Sequence, residues 1–304
     1  MHILPDDDAY PIRLLNLDEK PALTTSGPLD HRGIAVAIVG SREPIPEART
    51  FARELAFDLA KQRVLIVSGG AMGIDTAAHE GALEAGGVTW CVAPNGRRHS
   101  FPEENGALFR RIETSPGSRM IWPFPDDQPK TAKTPKQRNA VLVGLARAVV
   151  VVQAHYKSGS RNAAKHARNL SRPVFVVPAA PWMRGFAGSL FELVKLGGLM
   201  LAHPSQLFRY LNLPLDPDKE RWPWPSQVNL QAPEEAETDP PARPLTDDEN
   251  AIVSVLSATP QHVDAVIART GLPTSTTITA LLTLSLRDVV VEGPDGFYRR
   301  KNAT

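Results

Sequence analysis

Two continuous apolar runs most constrain how this chain can fold. Residues 34–39 read IAVAIV and end in Gly40, and residues 148–152 read AVVVV. A run without polar alternation is typical of a strand that is buried on both faces, as in a parallel sheet covered by helices. Segments of helical spacing alternate with shorter apolar runs at residues 64–67, 88–92, 119–122 and 174–177. This alternation predicts an α/β fold with a doubly wound, mostly parallel Rossmann-like sheet.

The crossover helices are predicted where apolar residues recur three or four positions apart. These segments lie at residues 46–61, 74–85, 103–112, 137–146, 161–170 and 186–196. We expect the last of them to close the domain.

Composition divides the rest of the chain. Residues 1–32 show no sustained period, which predicts an N-terminal arm before the Rossmann-like domain of residues 33–212. Residues 213–244 are acidic and contain eight prolines, which indicates an exposed linker. Residues 245–304 are predicted to form a small winged-helix-like domain of three helices and a hairpin.

Local signals support the C-terminal assignment. Thr246 precedes Glu249 by three residues, the spacing of a capping box at a helix N-terminus. Further helices are predicted at residues 262–270 and 275–286, and residues 289–298 read as a hairpin.

The net charge of +1 conceals a strong segregation of charge. Residues 128–172 contain ten Lys or Arg and no Asp or Glu, whereas residues 213–249 contain ten acidic and three basic residues. Local charge decides what a surface attracts, so the first stretch is a candidate site for a polyanion.

Several classes of protein are excluded or disfavoured. The single cysteine, Cys91, rules out an intrachain disulfide and disfavours a cysteine-ligated metal. The eight histidines follow no metal-binding spacing, and no Gly-x-Ser-x-Gly nucleophile motif occurs. No apolar window reaches the ~18 residues of a membrane helix, and the N-terminus lacks the pattern of a secretory signal. We expect a cytoplasmic protein without a membrane partner, metal, cofactor or catalytic residues.

Gly40, Ser41 and Arg42 end the first strand, where ligands of open parallel sheets bind. A glycine admits a ligand close to the backbone, and an arginine offers two donors to a phosphate. A plain turn with a surface arginine explains the same triplet equally well.

A glycine-rich loop follows the second strand at residues 68–73. It contains Ser68, Gly69, Gly70, Met72 and Gly73 and exposes backbone N–H groups at a helix N-terminus. It matches neither the dinucleotide motif G-x-G-x-x-G nor a P-loop, so neither nicotinamide binding nor ATP hydrolysis is indicated.

The acid-free stretch supplies the remaining candidates for contact with a phosphate or a nucleic acid. They are Lys133, Lys136, Arg138 and Asn139 around one predicted helix, and Lys157, Ser158, Gly159, Ser160 and Arg161 at the start of the next. Helix capping by Ser160 and a solvated lysine loop are the structural alternatives.

In this order and spacing, these segments resemble the DNA-processing protein A family, also called DprA or Smf. The resemblance extends from about residue 33 to residue 210 and rests on the motifs at residues 39–42, 67–75, 78–79, 101–105, 138–139, 158–160 and 174–178. It implies a non-enzymatic mediator that binds single-stranded DNA, loads a RecA-type recombinase during natural transformation and forms a homodimer.

The resemblance also implies roles for individual residues. Arg42 would hold phosphate, Arg138 would contact the strand, and the loop from Gly69 to Gly73 and the turn at residues 158–160 would line the DNA groove.

The chain departs from the family pattern at residues 135–140. They read PKQRNA where the family usually has Phe-Pro-x-Arg-Asn-Arg, so an aromatic ring and an arginine are missing. Stacking of one base on an aromatic side chain contributes about 1–3 kcal/mol, so its loss predicts weaker or relocated strand binding. Gln153 stands where an acidic residue is usual. We expect the N-terminal helical domain that many family members carry to be absent or reduced to an arm.

Two other functions remain open at this point. One is a nucleotide-sensing regulator or defence protein whose winged helix reads DNA. The other is a nucleotide phosphoribohydrolase, although residues 158–172 lack the glutamate that such an enzyme needs.

Overall fold

The structure, a computed structural model, describes residues 1–214, 244–287, 289–293 and 296–301. Contacts divide the chain into two units, Met1–Val228 and Asn229–Thr304. Of the linker predicted at residues 213–244, residues 215–243 lie outside the described residues.

The described part of the first unit contains one sheet. Its strands are β1 (His2–Ile3), β2 (Leu23–Thr25), β3 (Ala35–Gly40), β4 (Leu65–Ser68), β5 (Thr89–Val92), β6 (Arg119–Trp122), β7 (Ala148–Val152), β8 (Val174–Val176) and β9 (Leu199–Met200). Their spatial order is β1-β2-β6-β5-β4-β3-β7-β8-β9. The pairs from β6 to β9 are parallel, and β1 and β2 add an antiparallel edge. The predicted doubly wound, mostly parallel sheet is confirmed.

Helices cover both faces of this sheet. They are α1 (Pro46–Lys61), α2 (Ile74–Glu84), α3 (Gly106–Thr114), α4 (Thr134–Leu145), α5 (Gly159–Asn169), α6 (Ala187–Leu196) and α7 (Pro204–Leu211). Along β3, Val36 and Ile38 pack in the core under α1, α2 and α7, whereas Ala37 and Val39 pack in the core that contains α4 and α5. Because both faces are buried, the strand carries no polar alternation.

The first 32 residues are not an arm. β2 pairs with β6, and Leu14 and Leu23 are fully buried in the core that contains α4. Arg13 donates hydrogen bonds to the carbonyls of Leu145 and Gly33. The segment escaped prediction because its strands are two and three residues long, too short to show a period.

The helix α6 does not close the domain. The strand β9 and the helix α7 follow it, and Leu207, Phe208 and Leu211 are buried against the α1 and α2 face. His203 caps α7, since its Nδ1 accepts a hydrogen bond from the backbone N–H of Ser205. A helix of eight residues gives only a short apolar pattern, too short to be distinctive in the sequence.

The second unit has the predicted winged-helix order. It contains α8 (Asp247–Val255), β10 (Gln261–His262), α9 (Val263–Thr270), α10 (Thr274–Leu286), β11 (Val290–Glu292) and β12 (Phe297–Arg300). The capping box is confirmed, because Thr246 Oγ1 accepts from the N–H of Glu249 and the Glu249 carboxylate accepts from that of Thr246. Ile252, Val266 and Leu281 form part of a separate core. In neither unit is a described helix long and apolar enough to cross a membrane.

Candidate functional site

The carboxyl ends of β3 and β7 define the topological switch point of the sheet. The chain winds outward from β3 through β4, β5 and β6, and then returns to place β7 on the opposite side of β3. Gly40 ends β3 in register with Val152 of β7. In open α/β sheets, ligands bind in the crevice outside this point, so the loops after these two strands are the first place to look for a site.

A cleft of about 520 Å³ lies at this point. It brings together residues that were predicted from three separate segments of the sequence: Gly40, Ser41, Arg42, Lys136, Arg138, Asn139, Lys157, Ser158, Gly159 and Ser160. Other predicted residues do not line it: Ser68, Gly69, Gly70, Met72, Gly73, Lys133 and Arg161. The sequence therefore identified much of the lining but also included residues that lie behind it or beside it.

The charge of the lining is mainly positive. Its cationic residues are Arg42, Lys130, Lys136, Arg138 and Lys157, and its acidic residues are Glu43 and Asp75. Focusing of this field in a concave site attracts polyanions.

The glycine loop supports the cleft from behind. The backbone N–H of Ile74 donates to the carbonyl of Ser41 over 3.1 Å. Gly73 has φ 85° and approaches so closely that an added Cβ would lie 2.5 Å from the Ser41 carbonyl oxygen. The glycine therefore allows α2 to begin directly against the Gly40-Ser41-Arg42 turn, and of the loop only Ala71 reaches the cleft.

Asp75 fastens the same loop. Its Oδ2 accepts hydrogen bonds from the backbone N–H groups of Gly69 and Ala71, over 3.2 and 3.3 Å. Burial raises the pKa of the Asp75 carboxyl, and the nearby Arg138 guanidinium and the two N–H donors oppose that shift. Asp75 therefore holds the shape of the glycine loop.

Arg138 is buried, with 6% of its surface exposed. Its guanidinium donates to the carbonyl of Val92 and lies against Gly69. Burial lowers the pKa of Arg138, and Asp75 opposes this. The side chain reaches the floor of the cleft, but its contacts show a residue that positions the glycine loop.

Asn139 and the serine turn form one wall of the cleft. Asn139 Nδ2 donates to the carbonyl of Gly159 over 3.1 Å and to Asn162 Oδ1 over 3.0 Å, which ties α4 to the start of α5. The hydroxyls of Ser158 and Ser160 lie 2.8 Å apart. The turn therefore has a defined shape, and it lines the cleft at the N-terminus of α5, where the first backbone N–H groups have no partner within the helix.

Arg161 is held away from the cleft. Its Nε donates to Glu192 Oε1 over 2.8 Å, and its guanidinium lies 4.9 Å from the ring centroid of Tyr156 and 4.5 Å from that of Phe191. Arg168 binds the other oxygen of Glu192 over 2.6 Å. Because Glu192 is fully buried, this ion triad fastens α5 to α6.

The structure adds lining residues that were not predicted as site residues. Lys130 belongs to the acid-free stretch, and that signal was sufficient to include it. His155 had no local signal, because its place in the cleft depends on the path of the loop between β7 and α5. Gln153 acts behind the lining, where its Oε1 accepts from the backbone N–H of Ile45 at the start of α1 over 3.0 Å.

Cys91 lies in β5 and is buried. Burial raises the pKa of its thiol to about 12, although Arg138 opposes the shift, so the thiol stays protonated at neutral pH. The described residues contain no group of three His, Cys, Asp or Glu side chains arranged to hold a metal ion.

Comparisons with known proteins identify related chains. The family model of DNA recombination-mediator protein A matches residues 1–212, and a DprA winged-helix model matches residues 236–296. Protein Smf of Escherichia coli is 30% identical over 99% of this chain and 78% of its own length.

Two solved structures extend the agreement to the fold. DNA processing protein A of Streptococcus pneumoniae has a TM-score of 0.64 and 26% identity over 71% of this chain and 75% of that one. The protein of the same name from Helicobacter pylori, whose structure concerns its binding of single-stranded DNA, has a TM-score of 0.62 and 27% identity over 70% of this chain and 96% of that one. The chain described here belongs to the family of DNA recombination-mediator protein A, the DprA or Smf family.

Proposed function

We propose that this protein binds single-stranded DNA in the cleft between the ends of β3 and β7 and acts there as a recombination mediator. The observation that carries the proposal is the convergence of Arg42, Lys130, Lys136 and Lys157 on one cleft at the switch point. Phosphates are bound by such cations and by the N–H groups at helix N-termini. The binding of single-stranded DNA by the Helicobacter pylori relative supports the same assignment.

Salt dependence tests the electrostatic part of the proposal. Fluorescence anisotropy of a labelled oligo-dT is measured against the full-length protein at several salt concentrations. We expect micromolar or tighter binding at low salt, and a slope of log K against log salt that falls by about 1 for each phosphate-binding cation that is removed. Arg42→Ala and Lys136→Ala are the informative variants, since both side chains are exposed and line the cleft.

Arg110→Ala is the matched control. Arg110 is an exposed cation on α3 that does not line the cleft, so its removal should leave the slope unchanged. Absence of binding by the unmodified protein at low salt would refute the proposal, and so would equal losses in all three variants.

The proposal includes binding without catalysis. Residues 158–172 contain no acidic residue, and Asp75 accepts hydrogen bonds from two backbone N–H groups, whereas hydrolysis of a nucleotide needs an acid or base at the bond that breaks. Incubation with a panel of nucleotides, followed by chromatography, should release no free base. Release of a base would instead support the phosphoribohydrolase.

Family membership extends the proposal to partners. We assign the protein to the cytoplasm, where it would load a RecA-type recombinase onto incoming single strands. Filament assembly by the recombinase on a single strand should be faster when this protein is bound first. Unchanged assembly kinetics would contradict the mediator role while leaving DNA binding intact.

A homodimer is the second partner proposal. The strand β9 lies at the edge of the sheet, and Leu199, Met200 and Val194 on the neighbouring helix α6 are exposed apolar side chains. An exposed apolar edge strand is a surface for pairing with a second copy. Light scattering after size exclusion should give twice the chain mass, and Met200→Lys should shift it towards the monomer.

A further inference from the structure

The cleft contains one side chain whose role in binding is unexplained. His155 is exposed in the loop between β7 and α5. Among the described residues that line the cleft, it is the one that carries an aromatic ring. Its Nε2 lies 3.4 Å from Ser41 Oγ, next to Arg42. An imidazole ring therefore lies beside the cations of the cleft, which we propose to bind the phosphate backbone of a DNA strand.

Neighbouring groups fix the position of this ring. The Phe186 ring packs against it, with 4.9 Å between the centroids and 49° between the planes. Ser189 Oγ accepts a hydrogen bond from the Ala154 N–H over 2.9 Å, and the Ser189 N–H donates to the Ala154 carbonyl over 3.2 Å. Gly188 allows this approach, because an added Cβ would lie 2.4 Å from the His155 carbonyl oxygen. A ring held in this way loses little freedom when a ligand packs on it.

We propose that His155 is the base-stacking residue of this cleft, and that it accepts one unpaired nucleobase on its ring. This inference rests on the proposed binding of single-stranded DNA. The segment at residues 135–140, in the first turns of α4, has no aromatic residue. Stacking on an aromatic ring is sequence-tolerant, because every base presents a π-face. Bases in a duplex already stack on each other, so the ring favours single strands.

Three variants of His155 can separate stacking on the ring from hydrogen bonding by its nitrogens. His155→Phe keeps a ring and removes the nitrogens, His155→Gln keeps a polar group and removes the ring, and His155→Ala removes both. Since the residue is exposed, all three variants should fold, and urea unfolding of each verifies this. If stacking is the contact, only the phenylalanine variant keeps the affinity.

The experiment compares an oligo-dT with a backbone of equal length that lacks bases, at one fixed salt concentration. Relative to the unmodified protein, His155→Ala and His155→Gln should bind oligo-dT about 5- to 100-fold more weakly and should bind the abasic backbone equally well. His155→Phe should bind oligo-dT within about 3-fold of the unmodified protein. Trp182→Ala is the control, since this ring is 82% exposed and does not line the cleft, and its affinity should be unchanged.

Each outcome decides at least one of the two proposals, the stacking role of His155 and the binding of single-stranded DNA. If binding depends on Arg42 but not on His155, the stacking role is refuted and the proposed function stands. If His155→Phe binds as weakly as His155→Gln and His155→Ala, the contact is not stacking, and equal losses on the abasic backbone also exclude stacking. If the unmodified protein binds no oligo-dT, both proposals fail together.

Discussion

The guanidinium of Arg138 occupies the space beside Gly69, where an added Cβ would lie 1.9 Å from Nη1. The glycine loop and the α4 helix therefore fit together only because one residue lacks a side chain and the other carries a long planar one. This contact explains why the glycine loop and Arg138 lie together behind the cleft. Their packing against each other is a structural role that does not depend on a ligand.

A methyl group at Gly69 should destabilise the first unit. Gly69→Ala places a methyl group against the buried Arg138 guanidinium, which must shift, and overpacking of this kind costs about 1–3 kcal/mol. Urea unfolding followed by the fluorescence of the buried Trp90 and Trp122 measures the loss. Gly159→Ala is the matched control, because an added Cβ there meets no atom within 4 Å. Equal stability of the two variants would show that the packing around Arg138 yields freely.

Arg138 and Arg42 should differ in their contribution to stability. Arg138→Met keeps much of the buried volume but removes the donor to the Val92 carbonyl and the cation near Asp75, and leaving a buried polar group without its partner costs about 1–3 kcal/mol. Arg42→Ala removes an exposed side chain and should change stability by less than about 0.5 kcal/mol. The same urea titration measures both variants. A stability near that of the unmodified protein for Arg138→Met would mean that the buried guanidinium contributes little to the stability of the loop.

Acid should weaken the first unit through His79. The ring is fully buried, its Nδ1 lies 2.7 Å from Thr89 Oγ1, and that hydroxyl donates to the Ile66 carbonyl, so the ring is the donor to Thr89. Burial lowers the pKa of His79 to about 3, and Arg138 adds to the shift. The unfolded state, with a pKa of 6.5, therefore binds the proton first. Stability is complete above pH ~6.5 and is lost as the pH falls towards ~3.

The size of this effect is about 2 kcal/mol between pH ~7 and ~5, since one proton changes stability by at most ~1.4 kcal/mol per pH unit. His79→Gln should flatten the pH dependence by that amount, whatever its own stability at neutral pH. His99→Gln removes an exposed histidine and should leave the slope unchanged. An unaltered slope in His79→Gln would show that other groups dominate the acid response.

The capping box should stabilise the start of α8. Thr246→Ala removes the side-chain acceptor for the Glu249 N–H and should cost about 1 kcal/mol, which corresponds to roughly 5-fold faster amide exchange in α8. Ser254→Ala removes an exposed hydroxyl from the same helix without touching its cap. Hydrogen exchange of the full chain measures both. Similar exchange rates in the two variants would contradict an energetic role for the cap.

The sequence by itself determined the parallel sheet, most of the helices and the family. Runs such as residues 148–152 predict buried strands because a strand with two covered faces must be apolar throughout. The capping box at Thr246 was readable for a related reason, since all of its partners lie within three residues. Such patterns are readable because they arise from contacts between near neighbours or from burial that repeats along one element. The carboxyl ends of the predicted strands also indicated where a site would form.

Only the tertiary structure decided which candidate residues face the cleft. Three cations of the acid-free stretch have three different environments. Arg138 is buried against the glycine loop, Arg161 is bound by Glu192, and Lys136 is exposed in the lining of the cleft. The edge strands of the first 32 residues and the place of His155 were equally hidden. The physical reason is the same throughout: burial, pairing and orientation depend on contacts between residues that are far apart in the chain, and the sequence carries no local period for those contacts.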